Sequence, residues 1–423
     1  MSIVVSDEKK VPAEEQAGVA PHERPVPRIS IHVFHVDPDF AATAEQVSSD
    51  RRLSKAHMLV SEGGVTAAVE YYKANASPNL LIIETAAQGT AALDELESLA
   101  EVCEESTKVL IIGQANDVQL YRKLIRQGVS EYLVAPLTPV QLIETISSLY
   151  VNPDDPPIGR IVTFVGARGG AGASMLAHNV GWYIAETLKI DTAILDYDLP
   201  FGTAGLDFNQ DPGQSIADAL AAPERLDDVL LERLLIKCSE HLSIFAAPAM
   251  VDRIYDAEDR AYEAVIDQVR ESTPCVIVDL PHAWTAWTRQ TLLASDEIAL
   301  VATPDLTSLR NAKNIFDLIR ESRPNDAPPR LIINQVGVPK RPEITVKEFA
   351  AALDVEPSFV IPFDPHLFGT ASNNGQMLIE VQPKSKVSDG VRTLAEVLTG
   401  RSVEQVPKKN GISMLPFLTR KAS

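Results

Sequence analysis

A glycine-rich segment at residues 168–174 constrains the fold of this chain more than any other feature of its sequence. The segment reads Arg-Gly-Gly-Ala-Gly-Ala-Ser, follows an apolar run at residues 161–165 and precedes a helical pattern that begins at Met175. A strand, a glycine loop and a helix in this order are typical of phosphate-binding loops, in which backbone N–H groups and the helix N-terminus face the anion. The sequence therefore predicts an α/β fold with a nucleotide site at this loop.

The loop lacks the lysine that normally precedes its serine or threonine. Ala173 occupies the lysine position, Ser174 keeps the hydroxyl that meets Mg²⁺, and Arg168 stands ahead of the glycines. Losing one hydrogen bond to a charged group costs about 1.5–3 kcal/mol, or roughly 10- to 150-fold in affinity, and hydrolysis should suffer more because transition-state charge needs preorganised cations. We therefore predict nucleotide binding with weak or absent hydrolysis, against the alternative of a glycine turn without a ligand. The predicted nucleotide contacts are Arg168, Gly169, Gly170, Ala171, Gly172, Ala173, Ser174 and Met175.

Three aspartates follow apolar runs that have the composition of buried parallel strands. Asp196 and Asp198 close the run that begins at residue 192, and Asp279 closes the run that begins at residue 275. Ligands collect at the carboxyl ends of strands in open α/β sheets. We therefore predict that these aspartates and Ser174 hold Mg²⁺, partly through water, and that Asp198 and Asp279 act in catalysis. Capping of the following helix is the alternative for Asp196 and for Asp198.

Two later strand ends supply candidates for the base site. The amide of Asn334 can both donate to and accept from an adenine edge, although a turn-forming asparagine is an almost equal alternative. Pro362 ends another apolar run and is predicted to form a wall of the base pocket. The cluster of His282, Trp284 and Trp287 is interpreted either as a switch or interface surface or as ordinary core packing.

Residues 30–150 alternate short apolar runs with helical patterns, which predicts a flavodoxin-like doubly wound domain. The predicted strands span residues 31–36, 58–60, 80–83, 109–112 and 131–134, and the predicted helices span residues 41–54, 64–74, 91–102, 117–127 and 138–149. This spacing resembles the response-regulator receiver family. Glu84, Gly113 and Ala135 occupy the positions of that family's phospho-accepting aspartate, hydroxyl residue and lysine. The resemblance therefore implies the fold and a docking role, without phosphotransfer.

The remaining segments complete the predicted organisation. We expect a disordered leader at residues 1–29, a receiver-like domain at 30–150, a proline-rich linker at 151–157, an ATPase domain at 158–402 and a basic tail at 403–423. The tail has basic ends and an apolar centre, which is compatible with a membrane-surface anchor or with a partner-binding or disordered segment.

Composition excludes several classes of function. The formal net charge of −20 argues against broad nucleic-acid binding, which needs a basic surface. The sequence shows no secretory signal and no apolar run long enough to span a membrane. Its 3 cysteines lack metal-ligand spacing and fit a reducing compartment. We therefore expect a cytoplasmic location.

Together these motifs resemble the deviant-Walker ATPases of cell division and chromosome partition. The variant residues resemble the TadZ/CpaE pilus-assembly subfamily. They are Gly-Ala-Arg-Gly-Gly-Ala-Gly-Ala-Ser at residues 166–174, Ala-His-Asn at 177–179 and Pro-His-Ala-Trp at 281–284. The resemblance implies two doubly wound α/β domains, the first receiver-like and the second a ParA/MinD-like P-loop NTPase domain.

The same resemblance implies a function. It implies a homodimer that binds ATP and Mg²⁺, in which Arg168 reaches the phosphates of the partner subunit. It further implies a factor that marks a cell pole for Tad/Flp-type pilus assembly, at or near the inner membrane, with pilus-assembly or polar landmark proteins as partners. An active ParA/MinD-type ATPase that drives dynamic positioning of a partner is the alternative, and Ala173 argues against it.

Overall fold

Two mainly parallel β-sheets, each flanked by hydrophobic cores on both faces, organise the molecule. The computed structural model describes residues 26–87, 95, 97–104, 106–150, 158–211, 213–252 and 254–401. We call residues 26–150 the first unit and residues 158–401 the second unit. The predicted linker at residues 151–157 and the predicted tail at residues 403–423 lie outside the described residues. The α/β class with parallel sheets is confirmed.

The first unit contains a five-stranded parallel sheet in the order β2-β1-β3-β4-β5, which is the flavodoxin-like order. Its strands are β1 (Ser30–His35), β2 (His57–Glu62), β3 (Leu80–Glu84), β4 (Lys108–Gly113) and β5 (Glu131–Val134). Its helices include α1 (Pro38–Ser48), α2 (Gly64–Tyr72), α3 (Val118–Arg126) and α4 (Pro139–Tyr150). The central strand β3 is buried along its whole length, because helices cover both faces of a doubly wound sheet. All the predicted strands of this unit are present.

The helix predicted at residues 41–54 begins earlier and ends earlier than expected. The side chain of Asp37 caps α1 by accepting from the N–H of Asp39, and Pro38 occupies the first helical position, where it is favoured. After Ser48 the chain turns, and a short 3₁₀ helix follows at Arg51–Leu53. The helix predicted at residues 91–102 falls largely outside the described residues.

The last part of the predicted disordered leader is folded. Val26 and Ile29 are buried in the core of the first unit. The N–H of Val26 donates to the carbonyl of Arg52 at 2.8 Å. The prediction of disorder was therefore wrong for residues 26–29, since these apolar side chains find a place against the first sheet, whereas residues 1–25 lie outside the described part of the chain.

The second unit contains an eight-stranded sheet in the order β13-β12-β11-β6-β10-β7-β9-β8. Its strands are β6 (Arg160–Gly166), β7 (Thr192–Asp196), β8 (Ile236–Lys237), β9 (Leu242–Phe245), β10 (Cys275–Asp279), β11 (Glu297–Ala302), β12 (Arg330–Val336) and β13 (Phe359–Pro362). Its longer helices are α5 (Ala173–Glu186), α9 (Asp259–Ser272), α11 (Leu306–Ser322) and α15 (Lys386–Thr399). Its shorter helices are α6 (Ala204–Asp207), α7 (Ile216–Ala221), α8 (Asp228–Leu234), α10 (Ala286–Ala294), α12 (Val346–Leu353), α13 (Pro365–Asn374) and α14 (Leu378–Val381). β8 pairs antiparallel with its neighbour, and the other pairs are parallel.

The central strands of this sheet bring the site together. β10 lies between β6 and β7, so the glycine loop after β6 and the aspartates that end β7 and β10 emerge side by side. Alternate residues of β6 enter opposite cores, because side chains alternate along a strand: Phe164 lies on the α5 side and Val165 on the other. Gly181 allows α5 to pack closely over the sheet, since a Cβ there would lie 2.8 Å from Ile194 Cδ1.

A buried ion-pair network joins the two units. Arg51 Nη1 lies 3.0 Å from Asp296 Oδ1, and Arg51 Nε lies 2.8 Å from Asp326 Oδ2. Although burial favours the neutral acid, the positive charges of Arg51 and Arg323 lower the pKa of Asp326. Asp296 Oδ2 also accepts from the N–H of Ile161, near the start of β6. The first unit therefore contacts the amino-terminal edge of the second sheet, at the opposite end from the glycine loop.

Replacing Arg51 with alanine should loosen the contact between the units. Leaving a buried charge without its partner costs about 3–5 kcal/mol. The loss here should be smaller, because Asp326 keeps Arg323 and Arg52 as partners and Asp296 keeps Arg270. Lys55→Ala is the matched control: Lys55 Nζ lies 2.7 Å from Asp267, but its side chain is 48% exposed, and exposed pairs contribute about 0–1 kcal/mol. In small-angle scattering and thermal unfolding, Arg51→Ala should enlarge the particle and separate two transitions. Equal behaviour of the two variants would contradict this role of Arg51.

No helix in the described ranges combines the length and the apolar character needed to cross a bilayer.

Candidate functional site: the glycine loop and its carboxylates

The glycine loop between β6 and α5 presents a row of backbone N–H groups that have no acceptor among the described residues. Gly170 and Gly172 adopt left-handed φ angles of 76° and 94°, which favour glycine. Within the described part of the chain, the amides of residues 169, 170 and 172–175 donate to no protein group. Helix α5 adds the positive end of its dipole at the same place. The loop therefore has the geometry of an anion site.

Side chains from β12 hold the carbonyl groups of this loop. Asn334 Nδ2 donates to the carbonyl of Ala171 at 2.8 Å, and Gln335 Nε2 donates to the carbonyl of Gly170 at 2.9 Å. Asn334 is buried, and its Oδ1 accepts from the N–H of Gln335. The amide nitrogen of Asn334 therefore supports the loop, and a contact of this side chain with an adenine edge stays a prediction.

Two further side chains fix the start of the loop. His282 Nδ1 lies 3.1 Å from the carbonyl oxygen of Gly166, and Asn311 Nδ2 donates to the carbonyl of Ala167 at 2.8 Å. The sequence analysis placed His282 in an aromatic cluster and in the Pro-His-Ala-Trp motif, without a role at the loop, and it missed Asn311, which lies on α11. With their carbonyls bonded to the protein, the loop residues are left with their amides available to an anion.

Arg168 is the one cation that the sequence predicted at the loop. Ala173 is the first residue of α5 and is nearly buried, so no charge occupies the lysine position. Arg168 is about half exposed, and its Nη1 lies 3.2 Å from Asp305 Oδ2. Asp305 is itself held by Ser308, whose N–H it accepts at the start of α11. Since an exposed pair of this kind contributes about 0–1 kcal/mol, Arg168 can exchange Asp305 for another anion at little cost.

Asp279 is the carboxylate best placed beside the loop. It is 1% exposed, and its Oδ1 has no hydrogen-bond partner among the described residues. Burial raises the pKa of Asp279 to about 7, although the charge of His178 and the nearby hydroxyl of Ser174 oppose this shift. A buried carboxylate oxygen without a partner is costly. Asp279 and Ser174 therefore form the part of the predicted metal site that the geometry favours.

The other two predicted ligands differ from Asp279. Asp196 is fully buried and accepts from the N–H groups of Asp198 and Ala204 at 3.1 and 3.0 Å, so it shapes the loop after β7. Burial raises the pKa of Asp196, and it also raises that of Asp198, whose Oδ1 accepts from the N–H of Phe201. In the described ranges, no three His, Cys, Asp or Glu side chains form a metal site by themselves.

A buried histidine that sequence reasoning overlooked as a site residue connects this region. His178 Nδ1 lies 2.6 Å from Asp207 Oδ2, and its Nε2 lies 3.7 Å from Asp279 Oδ2. Burial lowers the pKa of His178, but its bond to Asp207 and the neighbouring carboxylate charges outweigh this and raise it. The available signal was spacing, since His178 follows Ser174 by one helical turn and so shares its helix face.

The remaining candidates are divided between the site and the core. Met175 Sδ lies 3.1 Å from Asn179 Nδ2, one turn along α5. Pro362 pairs in register with Val336 at the end of β13, where it remains a predicted wall of the base pocket. Of the aromatic residues, Trp287 stacks on Tyr262 with ring centroids 3.9 Å apart, whereas Trp284 is 57% exposed. Core packing therefore describes Trp287, whereas an exposed switch or interface surface is still open for Trp284.

Comparison with known proteins supports the fold of this site. No protein-family model matches the chain. The septum site-determining protein MinD of Synechocystis sp. is 22% identical over 258 residues, which cover 58% of this chain and 91% of that protein. The structure of a ParA family ATPase from Chlorobium tepidum TLS matches with 27% identity and a TM-score of 0.50, covering 56% of this chain and 98% of that one.

Two more solved structures are similar to parts of the chain. MinD from Pyrococcus horikoshii OT3, complexed with Mg-ADP, is 21% identical with a TM-score of 0.50, covering 57% of this chain and 96% of that one. The pilus assembly protein CpaE from Caulobacter crescentus CB15 is 45% identical with a TM-score of 0.30, covering 31% of this chain and all of that one. The glycine loop, the sheet around it and the ParA and MinD matches agree: the chain contains an α/β domain with the P-loop fold of the ParA and MinD ATPases.

Proposed function

We propose that this protein binds Mg-ATP as a switch for dimerisation and hydrolyses it slowly or not at all. One observation carries the proposal. Within the described part of the chain the loop amides have no acceptors, yet Ala173 supplies no charge at the lysine position and Arg168 lies against Asp305. Such a loop can bind phosphate groups, but it lacks the lysine cation that would stabilise the charge of the transition state.

The residues beside the loop fit a magnesium ion. Mg²⁺ is usually held by one or two carboxylates together with phosphate oxygens and water. Ser174 and Asp279, whose Oδ1 has no hydrogen-bond partner in the described ranges, would hold it here. When bound, the ion would neutralise phosphate charge. The relative from Pyrococcus horikoshii OT3 that contains Mg-ADP has the same fold, which supports this class of ligand.

Slow turnover follows because these residues bind the ground state and the transition state about equally. Backbone amides and the Ser174 hydroxyl contact ground state and transition state alike, and uniform binding does not raise turnover. Asp198 and Asp279 are the candidates to orient the attacking water. Without a mobile cation at position 173, phosphoryl transfer loses a major source of electrostatic stabilisation.

The wider role is proposed from the variant motifs. The loop at residues 166–174, Ala-His-Asn at 177–179 and Pro-His-Ala-Trp at 281–284 resemble the TadZ/CpaE subfamily. We therefore propose a cytoplasmic localisation factor for Tad/Flp-type pilus assembly at a cell pole, with pilus-assembly or polar landmark proteins as partners. Attachment of the basic tail to the inner-membrane surface is a further hypothesis.

The first unit is proposed to be a receiver-like docking domain without phosphotransfer. Its strand order supports this fold. Glu84 Oε2 accepts from the N–H groups of Val36 and Asp37 at 2.7 and 2.8 Å, so the carboxylate at the phospho-acceptor position supports the adjacent loop. A Cβ on Gly113 would lie 2.4 Å from the Tyr132 hydroxyl, so this ring excludes a side chain from the hydroxyl position.

Titration calorimetry and a phosphate-release assay on the same protein test the switch. We expect Mg-ATP binding with turnover well below that of lysine-bearing relatives. Asp279→Ala should weaken the Mg²⁺-dependent part of the affinity, because it removes a buried carboxylate that interacts with Ser174. Turnover as fast as in those relatives, and lost in Asp279→Ala, would replace the switch with the active ATPase that positions a partner.

Arg168→Ala should weaken nucleotide-dependent dimerisation by about 10-fold or more, the effect of one hydrogen bond to a charged group. The guanidinium is half exposed and is held by one acid, so it is available to a second subunit. Arg310→Ala is the control, because Arg310 is also an exposed arginine but lies on α11 and not in the loop. Light scattering with and without Mg-ATP measures the effect. If Arg168→Ala dimerises as the parent does, the proposed contact with the partner's phosphates is wrong.

A further inference from the structure

The imidazole of His178 joins two carboxylates that belong to different segments of the second unit. It is fully buried on α5, one turn after Ser174. Its Nδ1 makes a close contact of 2.6 Å with Asp207 Oδ2. Its Nε2 lies 3.7 Å from Asp279 Oδ2 and has no hydrogen-bond partner in the described residues. The ring is therefore held firmly on one side and loosely on the side that faces the nucleotide loop.

On the firm side, His178 holds a helix that is too short to be stable alone. Asp207 ends α6, which has 4 residues, and isolated helices of this length do not persist in water. Asp207 Oδ2 also accepts from Thr203 Oγ1 at 3.2 Å, and the ring of Phe208 lies 5.7 Å from the His178 ring. His178 is therefore one of the buried groups that fix the position of residues 203–208.

This segment displays apolar surface next to the site. Leu206, on α6, is 74% exposed, and Phe201, just before it, is 71% exposed. The beginning of α6 is held by Asp196, which accepts from the N–H of Ala204. Both ends of the exposed apolar segment are thus fixed by buried groups of the nucleotide site, one by Asp196 and the other by His178.

We infer that His178 is a positioning residue that couples the Asp279 carboxylate to residues 203–208, so that occupancy of the glycine loop controls the exposed surface of Phe201 and Leu206. This inference rests on the proposed nucleotide binding. Asp279 Oδ1 is buried and has no partner in the part of the chain that the structure describes, so any group that binds it changes the surroundings of the same carboxylate that His178 approaches. His178 then transmits that change to Asp207 through its hydrogen bond.

Hydrogen exchange measured by mass spectrometry on the full chain, with and without Mg-ADP, tests the coupling. In the parent, Mg-ADP should slow exchange in residues 203–208 by about tenfold, the effect expected for one strengthened hydrogen bond to a charged group. In His178→Leu this response should be lost, while calorimetry still detects Mg-ADP binding. His241→Leu is the control. His241 Nδ1 lies 2.7 Å from Asp191 Oδ1, and this pair is not part of the glycine loop. This variant should respond as the parent does.

A second variant separates coupling from simple packing. His178→Gln keeps a donor for Asp207 but cannot also reach Asp279, so its segment should stay protected without Mg-ADP and fail to respond to it. It also carries the test if His178→Leu does not fold. A parent-like response in His178→Gln or His178→Leu overturns the inference. If the parent binds Mg-ADP but residues 203–208 do not respond, the coupling is wrong and nucleotide binding stands. If the parent binds no nucleotide, the proposed function itself fails.

Discussion

Replacing Gly172 with alanine should abolish measurable Mg-ATP binding. Gly172 has a φ of 94°, and an added Cβ would lie 2.5 Å from Asn334 Nδ2. That amide bonds the carbonyl of Ala171 and so keeps the loop amides directed outward. Displacing it removes the support of the loop, and we expect a loss of at least about 100-fold in affinity, or roughly 2.7 kcal/mol. Titration calorimetry measures the loss.

Two glycine variants serve as controls for this result. Gly170→Ala shares the left-handed backbone, with a φ of 76°, but its Cβ would meet nothing within 4 Å. It should suffer only backbone strain of about 1 kcal/mol. Gly369→Ala, within α13, meets nothing and needs no unusual φ, so it should be neutral or slightly stabilising. If Gly172→Ala binds Mg-ATP as well as Gly170→Ala does, the bond from Asn334 to the carbonyl of Ala171 does not support the loop.

Ala173→Lys should tighten Mg-ATP binding by about 10- to 150-fold, the equivalent of one charge-assisted hydrogen bond. The first residue of α5 lies at the loop, where Arg168 is the other nearby cation and is paired with Asp305. Hydrolysis should also rise if Asp198 and Asp279 orient water correctly. Calorimetry and phosphate release measure the two effects.

Ala173→Gln is the control for Ala173→Lys, because it adds a long side chain at the same nearly buried position without a charge. It should bind Mg-ATP no better than the parent. If both variants gain the same affinity, side-chain size rather than charge explains the effect. If neither gains any, the missing lysine does not limit affinity.

The strands, and the residues at their carboxyl ends, could be predicted from the sequence. A strand buried on both faces needs a continuous apolar run, and residues 80–83 and 275–278 supply such runs. The glycine loop, Ser174 and Asp279 are close in space because each follows a neighbouring parallel strand. Helix ends were harder, since α1 begins where Asp37 and Pro38 cap it rather than where its apolar pattern begins.

Hydrogen bonds and ion pairs between residues far apart in the sequence were decided by the tertiary structure. Spacing left two roles open for Asn334, and the fold assigned its amide to the carbonyl of Ala171, 163 positions away in the sequence. Asp305 lies 137 positions from Arg168, so no local pattern predicts their pairing.

His178 shows the same division. Its place on the face of Ser174 followed from helical periodicity, whereas its contacts with Asp207 and Asp279 required the chain to fold. The sequence by itself therefore determined the strands, the phosphate loop and the missing charge at Ala173, because backbone periodicity and residue type are local properties. The tertiary structure alone decided which buried polar groups share hydrogen bonds, because those partners meet only when separate strands and helices pack together.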